Sequence, residues 1–584
     1  MNLPLLALSF LILLVVAYRL YGKWVARQFA LDDKIATPAH RKSDGIDYVP
    51  TPRFYLFAQH FSAIAAAGPI AGPILACQVW GWIPCLLWIS LGVVLIGAVH
   101  DFSSLIASVR HGACSIAEIA RAHLGPRAGR AMMAFIWIAL VYVIVAFADI
   151  TAGSFTGVTE ELAGAQAQFN PGGAVAAASI MYLLLAIVLG LVQRYLKPPL
   201  WLVTIIFVPA TLALSWLGTK VSTWLILDIK TWGLLILAYC FVASILPVWM
   251  LLQPRGYLGG FVLYLALALG IIGVFFGGYE IKQAAFKTWD AGTMTGALFP
   301  FLFVTIACGA CSGFHGLVCS GTTSKQVERE SHMPAVGYGA MLAEGFVALI
   351  ALVTIMIVAS EEITSLRPGT IYGNGIGRFM TLLVGQENLQ FAITFGAMAF
   401  STFVFDTLDV SARLGRYIVQ ELFDWRSRAS AALGTFLTLL LPAYFIWVSQ
   451  EGAYLRFWTL FGASNQLLAA LTLLAITIWL YQARRRVWFT LFPMLFVLTI
   501  TLWSLAKLTI ANFRATQGMD VSFFSPDASG IVRIVIFRGT QEMYVAMVNG
   551  LAAGALILLA IFLVVTALVK LRGERKGTLV PETV

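Results

Sequence analysis

Fifteen apolar runs divide this sequence and leave little of it outside them, at 3–20, 54–80, 82–108, 130–157, 174–194, 199–217, 231–252, 257–277, 296–320, 334–360, 389–412, 429–448, 456–481, 487–507 and 543–569. Most approach the ~20 residues that a helix needs to cross a hydrocarbon core of ~30 Å. Backbone polar groups in such a setting must be satisfied within each segment, which helices do and open strands do not. The expected fold class is an all-α polytopic membrane protein with about 15–18 transmembrane helices, allowing for split or short spans. Composition agrees. Of 584 residues, 60% are apolar and 11% are charged, against roughly 25% charged in a soluble domain. A secreted disulfide scaffold, a disordered chain and a water-soluble enzyme are excluded. The seven cysteines sit mostly inside apolar runs, which argues against a disulfide framework. Met1-Asn2-Leu3-Pro4 has no basic character and no small-residue cleavage site follows 11–17, so the first run is expected to remain as a helix.

The net charge of +10 is explained by where the cations lie. With the N-terminus outside, cytoplasmic loops begin near 21, 109, 194, 253, 321, 413, 482 and 570. They hold 27 of the 38 Lys and Arg, counting Arg19, and the outside segments hold 11. Arg484–Arg486 and the Lys570–Lys576 tail both fall inside. The bias predicts an N-out, C-in topology and removes the need for a nucleic-acid partner. The longest outside segment is 508–542, in which 531–537 alternates like a strand or an interfacial stretch.

Two runs are poor helices. One reads Phe61-Ser-Ala-Ile-Ala-Ala-Ala-Gly-Pro-Ile-Ala-Gly-Pro73, the other Thr305-Ile-Ala-Cys-Gly-Ala-Cys-Ser-Gly-Phe-His-Gly316. Each carries G-x-x-x-G, at Gly68/Gly72 and Gly309/Gly313, with one offset of 241 residues. Acidic residues follow at Asp101 and Glu344, offset 243, and at Asp149 and Asp406, offset 257. The recurrence predicts a duplication whose halves run in opposite senses through the membrane. The expected organisation is an N-terminal helix and linker at 1–53, a first five-helix repeat at 54–217, peripheral helices at 218–295, a second repeat at 296–481, and peripheral helices with a tail at 482–584. One G-x-x-x-G alone is more simply a packing device. Two at matched places, with Pro and Gly freeing backbone groups that lipid cannot satisfy, predict discontinuous first helices around a midplane site.

Ionisable groups at membrane depth are costly and tend to face the interior in pairs. Here they are His60, His100, Asp101, Asp149, His315, Glu344, Asp406 and Asp409. His100-Asp101 lies near the end of its run, where a boundary role competes with a functional one. Asp149 and Asp406 lie deeper. Asp409 and Arg413 have the i,i+4 spacing of a structural ion pair. Glu344 has no cation near it on its own helix, which makes it a candidate proton carrier. His60 and His315 flank the two poor helices, where a neutral core histidine is the competing reading. Asn465-Gln466 adds amides that either meet a substrate or bond across helices. Cys308-x-x-Cys311-x3-His315-x3-Cys319 has metal-like spacing, but four ligands at such intervals rarely converge on one helix.

These motifs carry a resemblance. Asp47-Tyr-Val-Pro-Thr51, His60-Phe-Ser-Ala-Ile-Ala-Ala-Ala-Gly-Pro69, Gly72-Pro73-Ile-Leu-Ala76, Asp101-Phe102, Ala307-Cys-Gly-Ala-Cys-Ser-Gly-Phe-His315, Ser320-Gly-Thr-Thr323 and Phe461-Gly-Ala-Ser-Asn-Gln-Leu-Leu-Ala-Ala470 resemble the carbon-starvation protein A family of bacterial inner-membrane transporters. The resemblance spans roughly residues 45–480. It implies a LeuT-type core of two inverted five-helix repeats, and uptake of peptides during carbon limitation or, in a related branch, of pyruvate with protons. The family pattern includes Cys308 but not Cys311 or Cys319, which weakens the metal reading further.

The expected function is therefore secondary active transport by alternating access in the bacterial inner membrane, with no enzymatic activity and no cofactor. Expected substrate contacts are His60, Gly68, Gly72, Gly309, Ser312, Gly313, His315 and Asn465. Asp101, Asp149, Glu344 and Asp406 are the coupling or gating candidates. The expected coupling ion is H⁺. Na⁺ is the alternative, held by carbonyls near Ala65 with Ser401 or Thr402. Rival classes are a membrane-embedded metal or redox protein on Cys308, Cys311, His315 and Cys319, a nutrient sensor, and an ion channel. The sequence leaves open the choice between peptide and pyruvate, and the oligomeric state.

Overall fold

The computed structural model describes residues 2–44, 48–65, 67–156, 169–247, 249–360, 367–425, 427–448, 454–517 and 540–575. Among them, twelve helices are long and apolar enough to cross a membrane. Three further segments complete the set read from the sequence: the bent pair Arg53–Ile64 and Gly68–Trp80, the interrupted pair Leu298–Thr305 and Gly313–Gly321, and the 17-residue helix Ile229–Ile245. Each of the fifteen apolar runs thus corresponds to a helical segment, and the chain is a membrane protein.

Both poor helices are broken. The first bends by 44° between Ile64 and Gly68. The second loses helical geometry between Thr305 and Gly313. Six helices lie between the two. A step of seven spans reverses direction, so the segments run oppositely through the fold.

The packing is reciprocal, as a pseudo-twofold requires. Gly68–Trp80 of the first repeat packs on Ala340–Met356 of the second, and Gly313–Gly321 of the second packs on Ala98–Arg110 of the first. Leu200–Lys220 lies on Leu389–Leu422, while Tyr454–Gln482 lies on Pro126–Thr156. The fourth helices, Pro171–Tyr195 and Arg428–Val448, repeat the exchange, and the two third helices pack on each other. This is a LeuT-type core. Leu3–Phe29, Ile229–Ile245, Leu252–Phe276, Trp488–Thr516 and Thr540–Arg575 surround it.

Three features depart from the reading. Pro368–Val384 is a helix outside the apolar runs. Its Gly369, Gly373, Gly375 and Gly377, with Asn374 and Arg378, dilute its hydropathy. Those glycines let the helix lie close to Leu389–Leu422: a Cβ at Gly377 would come within 2.7 Å of Ile393. It holds the place in the second repeat that the short helix Ile116–Leu124 holds in the first, between second and third helices. Second, the run 389–412 continues as helix to Leu422, so Arg413 and Arg416 are buried helix residues rather than loop cations. Third, the run 487–507 continues to Thr516, which removes the start of the expected 508–542 loop. The alternating stretch 531–537 lies outside the described residues.

Candidate functional site

The two breaks meet. A Cβ at Gly68 would collide with the side chain of Cys308, and one at Gly72 would sit 2.6 Å from the Thr305 carbonyl oxygen. From the other side, Gly309 has Pro69 Cα within 3.4 Å of its missing Cβ. Glycine is needed here because two backbones approach too closely for a methyl group. G-x-x-x-G therefore serves both readings at once, a packing contact and an interruption.

A break in the membrane frees carbonyls and N–H groups that must find partners. Helices from both repeats provide them. Trp88 Nε1 donates to the Ile306 carbonyl at 3.1 Å, Trp458 Nε1 to that of Thr305 at 3.1 Å, and Gln466 Nε2 to that of Phe303 at 2.9 Å. Across the gap, Asn465 Oδ1 accepts from the Phe314 N–H at 2.8 Å, while its Nδ2 donates to Ser312 Oγ at 3.0 Å and to Cys308 Sγ at 3.3 Å. The Asn465-Gln466 amides thus bond across helices and hold the gap open at fixed width. Ser312 and Asn465 are nearly water-free, and Gly313 is packed against the Asn465 carbonyl.

Directly beyond the gap lies a line of buried ionisable groups. His315 Nδ1 is 2.8 Å from Asp101 Oδ2, and His100 Nδ1 is 2.7 Å from Asp101 Oδ1. The other face of His315 presents Nε2 to Glu344 Oε2 at 3.2 Å, outside hydrogen-bonding alignment. No member is more than 1% exposed. Sequence offset joined Asp101 to Glu344, and the structure joins them through His315. His100, Asp101 and Glu344 are all fully buried within the bundle. Neither Glu344 oxygen has a hydrogen-bond partner among the described residues.

The remaining candidates lie elsewhere. His60 is buried beside the first break, with Nδ1 2.9 Å from Thr323 Oγ1 and Nε2 3.9 Å from Cys319 Sγ. It thereby ties Arg53–Ile64 to the end of the second interrupted helix. Asp149 is half-buried on Pro126–Thr156. Asp406 belongs to a separate cluster. There Arg255 Nη2 is 2.7 Å from Asp406 Oδ1, and Arg255 Nη1 pairs with Asp409 Oδ2, which also accepts from Tyr239 Oη at 2.8 Å.

That second cluster corrects two expectations. Asp409 does not pair with Arg413. Instead, Arg413 Nη2 donates to the Ala243 and Leu246 carbonyls, both at 2.7 Å, at the C-terminal end of Ile229–Ile245. Orphan carbonyls at a helix end outbid the i,i+4 carboxylate, which a fully buried guanidinium already serves. Arg255, counted above among cytoplasmic loop cations, is 0% exposed. Its place beside Pro254, at the head of an apolar run, hid this. The paired Asp406 and Asp409 three residues apart were the available signal.

Among the described residues no group of three or more His, Cys, Asp or Glu is placed to hold a metal. Cys308 Sγ faces Asn465, Cys319 Sγ faces the Asp101 carbonyl at 3.4 Å, and Cys311 is fully buried. For the alternative cation site, Ser401 Oγ is 2.9 Å from Ser179 Oγ and donates to the Met398 carbonyl, so it faces the fourth helix of the first repeat.

The family model for carbon starvation protein CstA matches residues 2–374 and 366–504. A peptide transporter CstA of Campylobacter jejuni is 33% identical, with 84% of this chain and 78% of that protein aligned. The pyruvate/proton symporter BtsT of Escherichia coli K12 is 31% identical over 84% of this chain and 79% of that protein. A peptide transporter CstA of the same strain is 31% identical over 92% and 82%. Among solved structures, a mutant manganese transporter of Eremococcus coleocola matches with a TM-score of 0.45 and 12% identity, covering 90% of this chain and 99% of that one.

Proposed function

Because this chain belongs to the carbon starvation protein CstA family, we propose that it is a secondary active transporter that takes up peptides by alternating access, coupled to protons. The observation that carries the reading is the contact of two interrupted helices beside a water-free carboxyl–imidazole line. A channel needs a continuous path. Here the meeting point of the repeats is sealed, and a sealed midpoint is what one state of an alternating carrier requires.

The coupling role falls to Glu344 and His315. With Nδ1–H donated to Asp101, His315 turns its Nε2 lone pair towards Glu344. One proton arriving there is shared between the carboxyl and the imidazole. If it rests on the ring, the imidazolium lies between two carboxylates, and if it rests on Glu344, the ring stays neutral. The backbone at Gly68 and Gly309, with Ser312 and Asn465, lies where a substrate would insert once the repeats part. No cofactor is needed for this chemistry. The expected setting is the bacterial inner membrane with the N-terminus outside, on the strength of the loop charges.

A second reading has one specific support, the relative named a pyruvate/proton symporter. Uptake of labelled dipeptides, pyruvate and single amino acids into proteoliposomes, under imposed proton or sodium gradients, separates the two. Proton-driven dipeptide accumulation supports the first reading. Accumulation of pyruvate alone transfers the chain to the second, and sodium-driven uptake at constant pH ends the proton assignment.

A further inference from the structure

A cleft of about 470 Å³ is lined by Tyr18, Arg19, Lys23, Arg53, Phe54, Phe57 and Ala335, none of them a member of the sealed centre. Three of these are cations and none is acidic. Arg19, Lys23 and Arg53 are exposed, and among the described residues none makes a hydrogen bond or ion pair. Three like charges converging without an anion is unfavourable unless a ligand supplies one.

The setting indicates which ligand. Arg19 and Lys23 follow directly on the apolar stretch Leu3–Ala17, whose outer face, including Val15 and Val16, is exposed. Leu20 is 69% exposed and Phe54 is 76% exposed beside the cations. Apolar side chains of that size are uncovered where hydrocarbon covers them. The cleft therefore lies at the boundary between lipid tails and water, where a phosphodiester headgroup sits.

The walls carry two of the three π-helical turns among the described residues. Tyr18 and Arg19 belong to a π-helical turn, Tyr18–Gly22, and Ala335 to another, Pro334–Gly339. Such wide turns insert a residue into a helix and commonly mark functional places. They also interlock. A Cβ at Gly22 would come within 3.0 Å of the Tyr338 ring, and Tyr338 Oη donates to the Val94 carbonyl at 3.0 Å inside a third such turn, Val93–Gly97. Arg53 is the first residue of the interrupted helix Arg53–Ile64. The cleft thus joins a peripheral helix to the leading segment of the first repeat.

We propose that this cleft binds the headgroup of an anionic phospholipid, with Arg19, Lys23 and Arg53 on the phosphate and an acyl chain along the Val16–Leu20 face. Basic pockets between transmembrane helices bind such headgroups by charge and shape together. The site is separate from the transport centre, and its test reads lipid rather than uptake, so its failure leaves the transport reading standing.

The test uses the full chain in nanodiscs of phosphatidylcholine with a minor share of phosphatidylglycerol, released into mild detergent for native mass spectrometry. Wild type is expected to retain phosphatidylglycerol preferentially. R53Q is expected to lower that retention about five-fold, and R19Q/K23Q/R53Q to reduce it to the phosphatidylcholine level. R19K/R53K, which keeps the charge, and R41Q, outside the cleft, are expected to retain it. The single R53Q substitution keeps the test decisive if the triple variant does not fold. Equal retention of both lipids by wild type, or unchanged retention in R53Q, overturns the proposal. Displacement of phosphatidylglycerol by millimolar inorganic phosphate assigns the cleft to free phosphate and overturns the lipid assignment.

Discussion

Two buried ionic clusters share this fold and are built on different cations. In one, Asp101 and Glu344 are joined by imidazoles, and no Arg or Lys takes part. In the other, Asp406 and Asp409 share the guanidinium of Arg255, which also touches Tyr239. The first set spans the two repeats, reaching from Trp82–Arg110 through Gly313–Gly321 to Ala340–Met356. The second joins Leu252–Phe276 to the third helix of the second repeat. Guanidinium keeps its proton at every physiological pH, whereas imidazole gives its proton up. One cluster is thus a fixed fastening, and the other is the one to which the coupling role is proposed. On the transport reading proposed above, it is the identity of the partner cation that separates a coupling carboxylate from a structural one.

Four substitutions bear on that contrast, beginning with the most damaging. R255M leaves two carboxylates buried without their cation, a loss of about 3–5 kcal/mol. Fluorescence-detected gel filtration is expected to show little folded protein, with recovery in R255M/D406N/D409N. Wild-type yield and melting for R255M would break the contrast at once. E344Q removes the proposed proton carrier but no hydrogen bond seen among the described residues. It is expected to fold normally and exchange substrate, while gradient-driven accumulation falls to the level without a gradient. Full proton-driven uptake by E344Q ends its coupling role.

D101N is expected to fall between stability and function. An amide offers one acceptor oxygen where Asp101 offers two imidazole nitrogens an oxygen each, a penalty of about 1–3 kcal/mol. A lowered melting temperature with a flattened pH profile of uptake is the expected pair of results. A change in melting alone makes Asp101 purely structural. The smallest effect is expected from W458F, which leaves the Thr305 carbonyl without its indole donor. A cost near 1 kcal/mol is expected, read as a melting shift with coupling intact. A loss of coupling in W458F instead draws the gap's donors into the transport step.

Much of this architecture was legible in the residues, and the limits have physical causes. The breaks were visible because Gly and Pro cannot be hidden in a helix, and the duplication because the glycine offset repeats. His315 was marked by its place beside Gly313, though not its role as the bridge between Asp101 and Glu344, since contacts across 214 residues leave no local trace. Trp88 and Trp458 carry no mark in the sequence, because an indole that caps a carbonyl has the same local sequence as one that faces lipid. Arg255 failed for a related reason: a cation at the head of an apolar run looks like a loop anchor until its partners are known. Pro368–Val384 escaped because glycines chosen for close packing lower the very signal used to find helices.

The glycine contact between the interrupted segments has a mechanical meaning. Gly68 and Cys308 already touch with no room for one more carbon, and Gly72 rests on the Thr305 carbonyl. A joint with no spare volume acts as an end stop. At this joint the two segments cannot be pressed further together, so any rearrangement of the halves has to begin by separating them there.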